Sequence, residues 1–126
     1  MSHIPRWPSV RSRLGGLPVP RGWRLIERET EGYRLYEVYE SPKGVTYEQA
    51  VVWYLVRFPE GKAWGGWRAC LGIGGSGDAG LYAQPENWAW RNPRNHHLLQ
   101  IGVGGSNSTR VTVGLSRSEF GDDCYF

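Results

Sequence analysis

Leu71-Gly72-Ile73-Gly74-Gly75-Ser76-Gly77 returns thirty residues later as Ile101-Gly102-Val103-Gly104-Gly105-Ser106-Asn107. Each copy alternates an aliphatic residue with glycine and then breaks into a Gly-Gly-Ser turn. Alternation with period two places the aliphatics on one face of a strand and the glycines on the other. After each turn, Leu81 and Ala83, or Val111 and Val113, hold matching apolar places. The repeated unit therefore reads as strand, turn and return strand. Two copies are too few for a solenoid, so the repeat suggests two similar hairpins in one barrel or sandwich. A glycine face has no side chains and admits something flat and bulky. The chain's own tryptophans, seven in all, are the first candidates, ahead of a ligand or another chain.

The remaining chain supports the same reading. Trp23–Glu29 and Tyr33–Glu40 are rich in aromatic and branched residues, with Thr30-Glu31-Gly32 as a glycine-bulge hairpin between them. Ser41-Pro42-Lys43-Gly44 and Pro59-Glu60-Gly61-Lys62 are turns. Trp64–Gly74, Ala79–Ala83, His96–Gly104 and Thr109–Ser116 read as further strands, and residues 84–95 as a polar, aromatic loop. Thr46–Phe58 is ambiguous. Thr46 and Gln49 match a capping box, and Tyr47, Ala50, Val51, Tyr54, Leu55 and Phe58 share a helical face. Yet Val51, Val52, Trp53, Tyr54 and Val56 favour a pleated sheet, and the apolar run covers every helical face, which only a buried helix tolerates. The segment is read as a strand. The expected fold is mainly β: an antiparallel meander of six or seven strands closing as a small barrel, or else a sandwich. The alternative is α+β with residues 46–57 helical.

Residues 1–22 differ from the body at 23–126. Pro5, Pro8, Pro18 and Pro20 remove backbone donors and favour extended conformation. Residues 1–24 hold Arg6, Arg11, Arg13, Arg21 and Arg24 and no acid, which leaves ten basic against twelve acidic residues in the remainder. The expected organisation is an extended basic arm, held on its own body or on a neighbour, attached to one β-rich domain. At 126 residues the chain is the size of one domain. No apolar run approaches a membrane helix and no hydrophobic leader opens the chain, so the expected location is the cytoplasm or an intracellularly assembled particle. That compartment is reducing, so Cys70 and Cys124 are expected as free thiols, although a bond between them is possible.

Candidate chemistry is sparse. Gly72 to Gly77 fits G-x-G-x-x-G, but a strand pattern follows where dinucleotide binding requires a helix. Gly74 to Asp78 lacks the final glycine of a nucleophile elbow. His96 and His97 are adjacent, with no Cys-x-x-Cys or spaced histidine beside them, so no metal site and no cofactor is expected. Either histidine could serve as a general acid or base, with Arg91 and Arg94 steadying a phosphorane, in a small metal-independent nuclease.

The stretch from Trp88 to His97 interleaves rings, guanidinium groups and amides without an acid. Such a mixture can bind single-stranded nucleic acid, with bases stacked on Trp88 and Trp90. Flat rings beside amides could equally hold a sugar. Tryptophan and arginine also anchor protein interfaces. The sequence is best accounted for as a non-enzymatic subunit of a larger assembly, such as a virion or another multisubunit complex. Its expected contacts with other protein subunits are Arg6, Trp7, Arg11 and Arg13 on the arm, and Trp88, Trp90, Arg91 and Arg94. Single-stranded nucleic acid is the alternative partner; a membrane is not expected.

Overall fold

A computed structural model describes residues 4–59, 61–70, 87–105 and 108–117. In chain order the elements are β1 (Ser9–Arg11), β2 (Pro18–Pro20), β3 (Arg24–Glu29), β4 (Arg34–Glu40), α1 (Tyr47–Arg57), β5 (Arg68–Ala69), β6 (Asn87–Arg91), β7 (Leu98–Gly104) and β8 (Arg110–Ser116). Six strands form one antiparallel sheet in the order β3-β4-β8-β7-β6-β5, and β1 pairs with β2 in a separate hairpin. The fold is mainly β. The large sheet does not close into the preferred barrel, because β3 and β5 lie at its opposite ends. With the hairpin and helix packed over one face, the arrangement is sandwich-like. No helix among the described residues is long and apolar enough to cross a membrane.

Register assigns the faces. Leu99, Ile101 and Val103 on β7 lie opposite Leu115, Val113 and Val111 on β8, and opposite Trp90 and Trp88 on β6. These residues line the inner face, where Leu99, Ile101, Val103, Val111 and Val113 are fully buried. Gly102 and Gly104 point to the outer face. All seven tryptophans belong to the inner cluster: Trp23, Trp53, Trp88 and Trp90 are buried in it, and Trp7, Trp64 and Trp67 pack against it. The glycine face is therefore not paved by the chain's own tryptophans, contrary to the first expectation. On the outer side Ala89 and Leu98 form a small second cluster with Cys70.

Residues 84–95 are not all loop. Asn87–Arg91 is strand β6, paired with β7 along its whole length. The alternation Trp88-Ala89-Trp90 has period two, and that outweighs the polar residues around it. The strand expected at Trp64–Gly74 begins instead with a bridge between Trp64 and Trp67 and continues as β5. Residues 71–74 of it, the first glycine repeat and Ala79–Ala83 lie outside the described residues.

The strand expected at Thr46–Phe58 is an α-helix. Thr46 accepts from the Gln49 backbone N–H at 3.1 Å, and the Gln49 side chain accepts from the Thr46 N–H at 2.9 Å, completing the capping box. Pairing α1 as a strand would put Glu48, Gln49 or Arg57 on whichever face met the core. Helical geometry instead collects Ala50, Trp53, Tyr54 and Phe58 on one buried side. Phe58 ends the helix, its N–H donating to Tyr54, and Pro59 follows. The buried side is turned from the expected one, so that Trp53 faces inward and Leu55 is 42% exposed.

Residues 4–22 are not a free arm. They turn back through Ser12–Gly16, and the hairpin lies on the sheet with Leu17 and Val19 in the core. Gly15 has φ +65°, and a Cβ there would sit 2.5 Å from Leu99 Cδ2, so both conformation and contact demand glycine. The extended backbone favoured by the prolines is present, but as strands and their flanks. Cys70 is disulfide-bonded, which corrects the expectation of free thiols. The other cysteine in the chain, Cys124, lies outside the described residues.

Candidate interaction surface

The layer over the inner face is riveted by polar atoms of the buried aromatics. Trp53 Nε1 donates to the Trp7 carbonyl at 3.1 Å, and the Tyr54 hydroxyl donates to the Pro18 carbonyl at 2.9 Å. Trp64 Nε1 reaches the Gly15 carbonyl at 2.9 Å. Arg57 lies with its guanidinium carbon 3.5 Å from the Trp53 ring centroid and donates to the carbonyls of Trp53 and Trp7. Burial pushes the Tyr54 phenol well above its ordinary pKa. Helix and hairpin thus form one continuous layer.

Glu37 fastens this layer to the sheet. It is 2% exposed and lies on the inner face, between Leu35 and Tyr39 along β4. Arg28 Nε and Nη2 donate to Oε2 at 2.9 and 2.8 Å, while the Tyr39 hydroxyl and the Arg13 backbone N–H donate to Oε1 at 2.8 and 3.3 Å. Burial first, then the hydrogen bond to Glu37, pushes the Tyr39 phenol up to about 12. Every oxygen of this buried carboxylate is matched, as burial of a charge requires. Its role is structural. An acid at the middle of the inward alternation Leu35-x-Glu37-x-Tyr39 is the sequence signal that marks it.

The expected contact residues separate into two groups. Trp88 and Trp90 are 5% and 1% exposed, and their Nε1 atoms donate to the carbonyls of Phe58 at 3.1 Å and Lys62 at 2.8 Å. In this fold both rings lie in the core, closed to a base, a sugar or a partner. Trp7 is half-buried against Trp23 and Trp53, with ring centroids at 5.7 and 6.3 Å. Arg91 is half-buried and engaged by neighbours. By contrast Arg6, Arg11, Arg13 and Arg94 are exposed, as is Arg21. Among the described residues, Arg6, Arg11, Arg13 and Arg21 make no ion pair.

His96 and His97 lie in the turn between β6 and β7. His96 is exposed at φ 64°, and its N–H donates to the Asn92 carbonyl. Asn92 Oδ1 accepts from Arg94 and Asn95, and Asn95 Oδ1 accepts from His97. The turn is organised by its asparagines, and histidine tolerates the left-handed region better than most residues. The cavity bounded by Phe58, Lys62, Cys70, Trp88 and Trp90 holds about 10 Å³, room for one water. Comparisons with family models, curated proteins and solved structures return no match.

Proposed function

We propose that this chain is a non-enzymatic binding protein that serves as a subunit of a larger assembly and meets its protein partner through the outer surface of the helix-and-hairpin layer. The carrying observation is the composition of that surface. Arg6, Arg11, Arg13 and Arg21 stand exposed and make no ion pair among the described residues, in the same segment as the aliphatic Ile4 and Val10, which are 54% and 42% exposed. Arginine with apolar neighbours favours a protein interface. Single-stranded nucleic acid is less well supported than the sequence suggests, because the rings of Trp88 and Trp90 are enclosed.

The test is size-exclusion chromatography with light scattering and absorbance at two wavelengths, on tagged protein drawn from its native extract. The expected result is a protein-only particle that the combined variant Arg6→Glu/Arg11→Glu/Arg13→Glu reduces to the monomer. Identical elution of variant and wild type refutes the reading. Nucleic acid that co-elutes at low salt and leaves at high salt transfers the surface to a polyanion.

A further inference from the structure

The main-chain groups of the N-terminal hairpin can be followed one by one. The Arg21 N–H donates to the Pro8 carbonyl and the Ser12 N–H to the Leu17 carbonyl, with Val10 opposite Val19 between them. Residues 8, 10 and 12 therefore turn their main-chain groups toward β2, and Ser9 and Arg11 turn theirs away. The outward edge of β2 is closed. Pro18 and Pro20 have no N–H, the Pro18 carbonyl accepts from the Tyr54 hydroxyl, and the Pro20 carbonyl accepts from the Trp23 N–H. The edge of β1 is closed only beyond its ends, where the Trp7 carbonyl accepts from Trp53 and Arg57 and the Arg13 N–H donates to Glu37. Between these ties the N–H and C=O of Ser9 and Arg11 have no partner among the described residues, and Ser9, Val10 and Arg11 are all exposed. The β3 edge of the large sheet is different. It carries a bulge at Leu25/Glu27, and its charges are of both signs and already engaged: Arg24 with Glu40, Arg28 with Glu37 and Glu27 with Tyr36. Bulges and charges of that kind keep an edge from pairing. β1 runs in regular register and has no such bulge.

Two donors and two acceptors along an open edge are what an added strand satisfies. Charge selects the strand. Arg11 lies on β1 itself, Arg13 two residues beyond it and Arg6 three residues before Ser9; all three are exposed, and the first acidic residue of the chain is Glu27. A second copy of this edge would bring arginine toward arginine. Phosphate groups accept but do not donate, so a nucleic-acid backbone would leave the Ser9 and Arg11 carbonyls unmatched. We infer that the open edge of β1 at Ser9 and Arg11 takes up an extended acidic segment of a protein partner as an additional strand, its main chain bonded to these two residues and its carboxylates drawn to Arg6, Arg11 and Arg13. This deepens the assembly reading and rests on it.

The test follows backbone amide shifts and hydrogen exchange of the full isotope-labelled chain while a synthetic peptide of alternating glutamate and valine is added. Control probes replace glutamate by lysine, methylate alternate peptide nitrogens so that the main chain cannot donate, or are oligothymidylate. The expected result is saturable shifts at Ser9, Val10 and Arg11 with the unmodified acidic peptide alone, and slowed exchange of the Ser9 and Arg11 amides. Ser9→Pro removes an outward N–H that the hairpin does not use, and should weaken binding about fivefold or more. Arg6→Glu/Arg11→Glu should weaken it about tenfold or more. An unchanged amide spectrum elsewhere verifies that each variant is folded, and the methylated peptide tests the same bonds on the unaltered chain. No binding, equal binding of the lysine or methylated peptide, preference for oligothymidylate, or self-association through β1 overturns the inference. If the arginine variant dissolves the native assembly while Ser9→Pro leaves it intact, the assembly reading stands and this inference falls. If neither variant matters, both fall.

Discussion

The inner and outer sides of the helix-and-hairpin layer draw on the same residue types and put them to different use. Inward, Trp53, Tyr54 and Phe58 are buried, with the indole and phenol protons spent on carbonyls of Trp7 and Pro18. The inward carboxylate of Glu37 is matched by Arg28, Tyr39 and Arg13. Outward, Val52, Leu55 and Val56 have no such cover, and the arginines of the hairpin have no acid beside them in sequence. Inside, the rings are buried and their polar atoms bonded, so substitution costs stability. Outside, the side chains are exposed, so substitution should cost little stability.

The largest effect expected from that contrast is at Trp53. Trp53→Ala removes a fully buried ring and its bond to the hairpin, and should lose about 3–5 kcal/mol of unfolding free energy in a denaturant titration. A loss under about 1 kcal/mol would show that the layer is not packed as described. Glu37→Gln comes next. It leaves Arg28 without its carboxylate and weakens the tie to Arg13; a cost of about 2–3 kcal/mol is expected, below that of a wholly enclosed pair because Arg28 keeps part of its solvent access. Hydrogen exchange in this variant should quicken first at the hairpin.

Tyr39 supplies a pH test of the same junction. Its phenol titrates at about 12 when folded, against an ordinary value of 10.0. Between these values the unfolded chain has lost a proton that the folded chain retains, so stability falls as pH rises. The contribution is whole below pH 10.0 and is lost on passing about 12. Alkaline melting curves should show this fall, and Tyr39→Phe should lessen it, the remainder belonging to the buried Tyr54 phenol, which is raised in the same direction. The smallest effect belongs to the outer side: Leu55→Ser/Val56→Ser should move stability by no more than about 0.5 kcal/mol per site. A larger loss would mean that these side chains are packed within the monomer.

Much of this was legible in the sequence where local pattern and tertiary packing agree. The β3–β4 hairpin and the β7–β8 pair fall where aromatic and branched runs and their glycine turns place them. Elsewhere the signals competed. At Thr46–Phe58 the valines argue for a strand and the capping box for a helix; what decides is that only a helix gathers Ala50, Trp53, Tyr54 and Phe58 against the sheet. At Trp88–Arg91 the surrounding amides and guanidinium groups concealed a two-residue period, and the tryptophans best suited to a contact proved to be core. The proline-rich start signals extended backbone, but no local pattern says that Leu17 and Val19 will be covered. That follows from the far-off indole of Trp53 and phenol of Tyr54 reaching its carbonyls. The exposed arginines were readable by charge alone. The exposed apolar residues of α1 were not, because the expected helical face placed Leu55 inside.

Amide hydrogen exchange on the dilute, isolated chain tests most directly whether the N-terminal hairpin is an intrinsic layer of the fold. The N–H groups of Ser12 and Arg21, bonded to the carbonyls of Leu17 and Pro8 at 2.8 Å each, should be protected to a degree approaching that of β7 and β8. Exchange of these amides at the rate of free peptide, with β7 and β8 still protected, would contradict the account and make the hairpin a strap that only a neighbour holds in place.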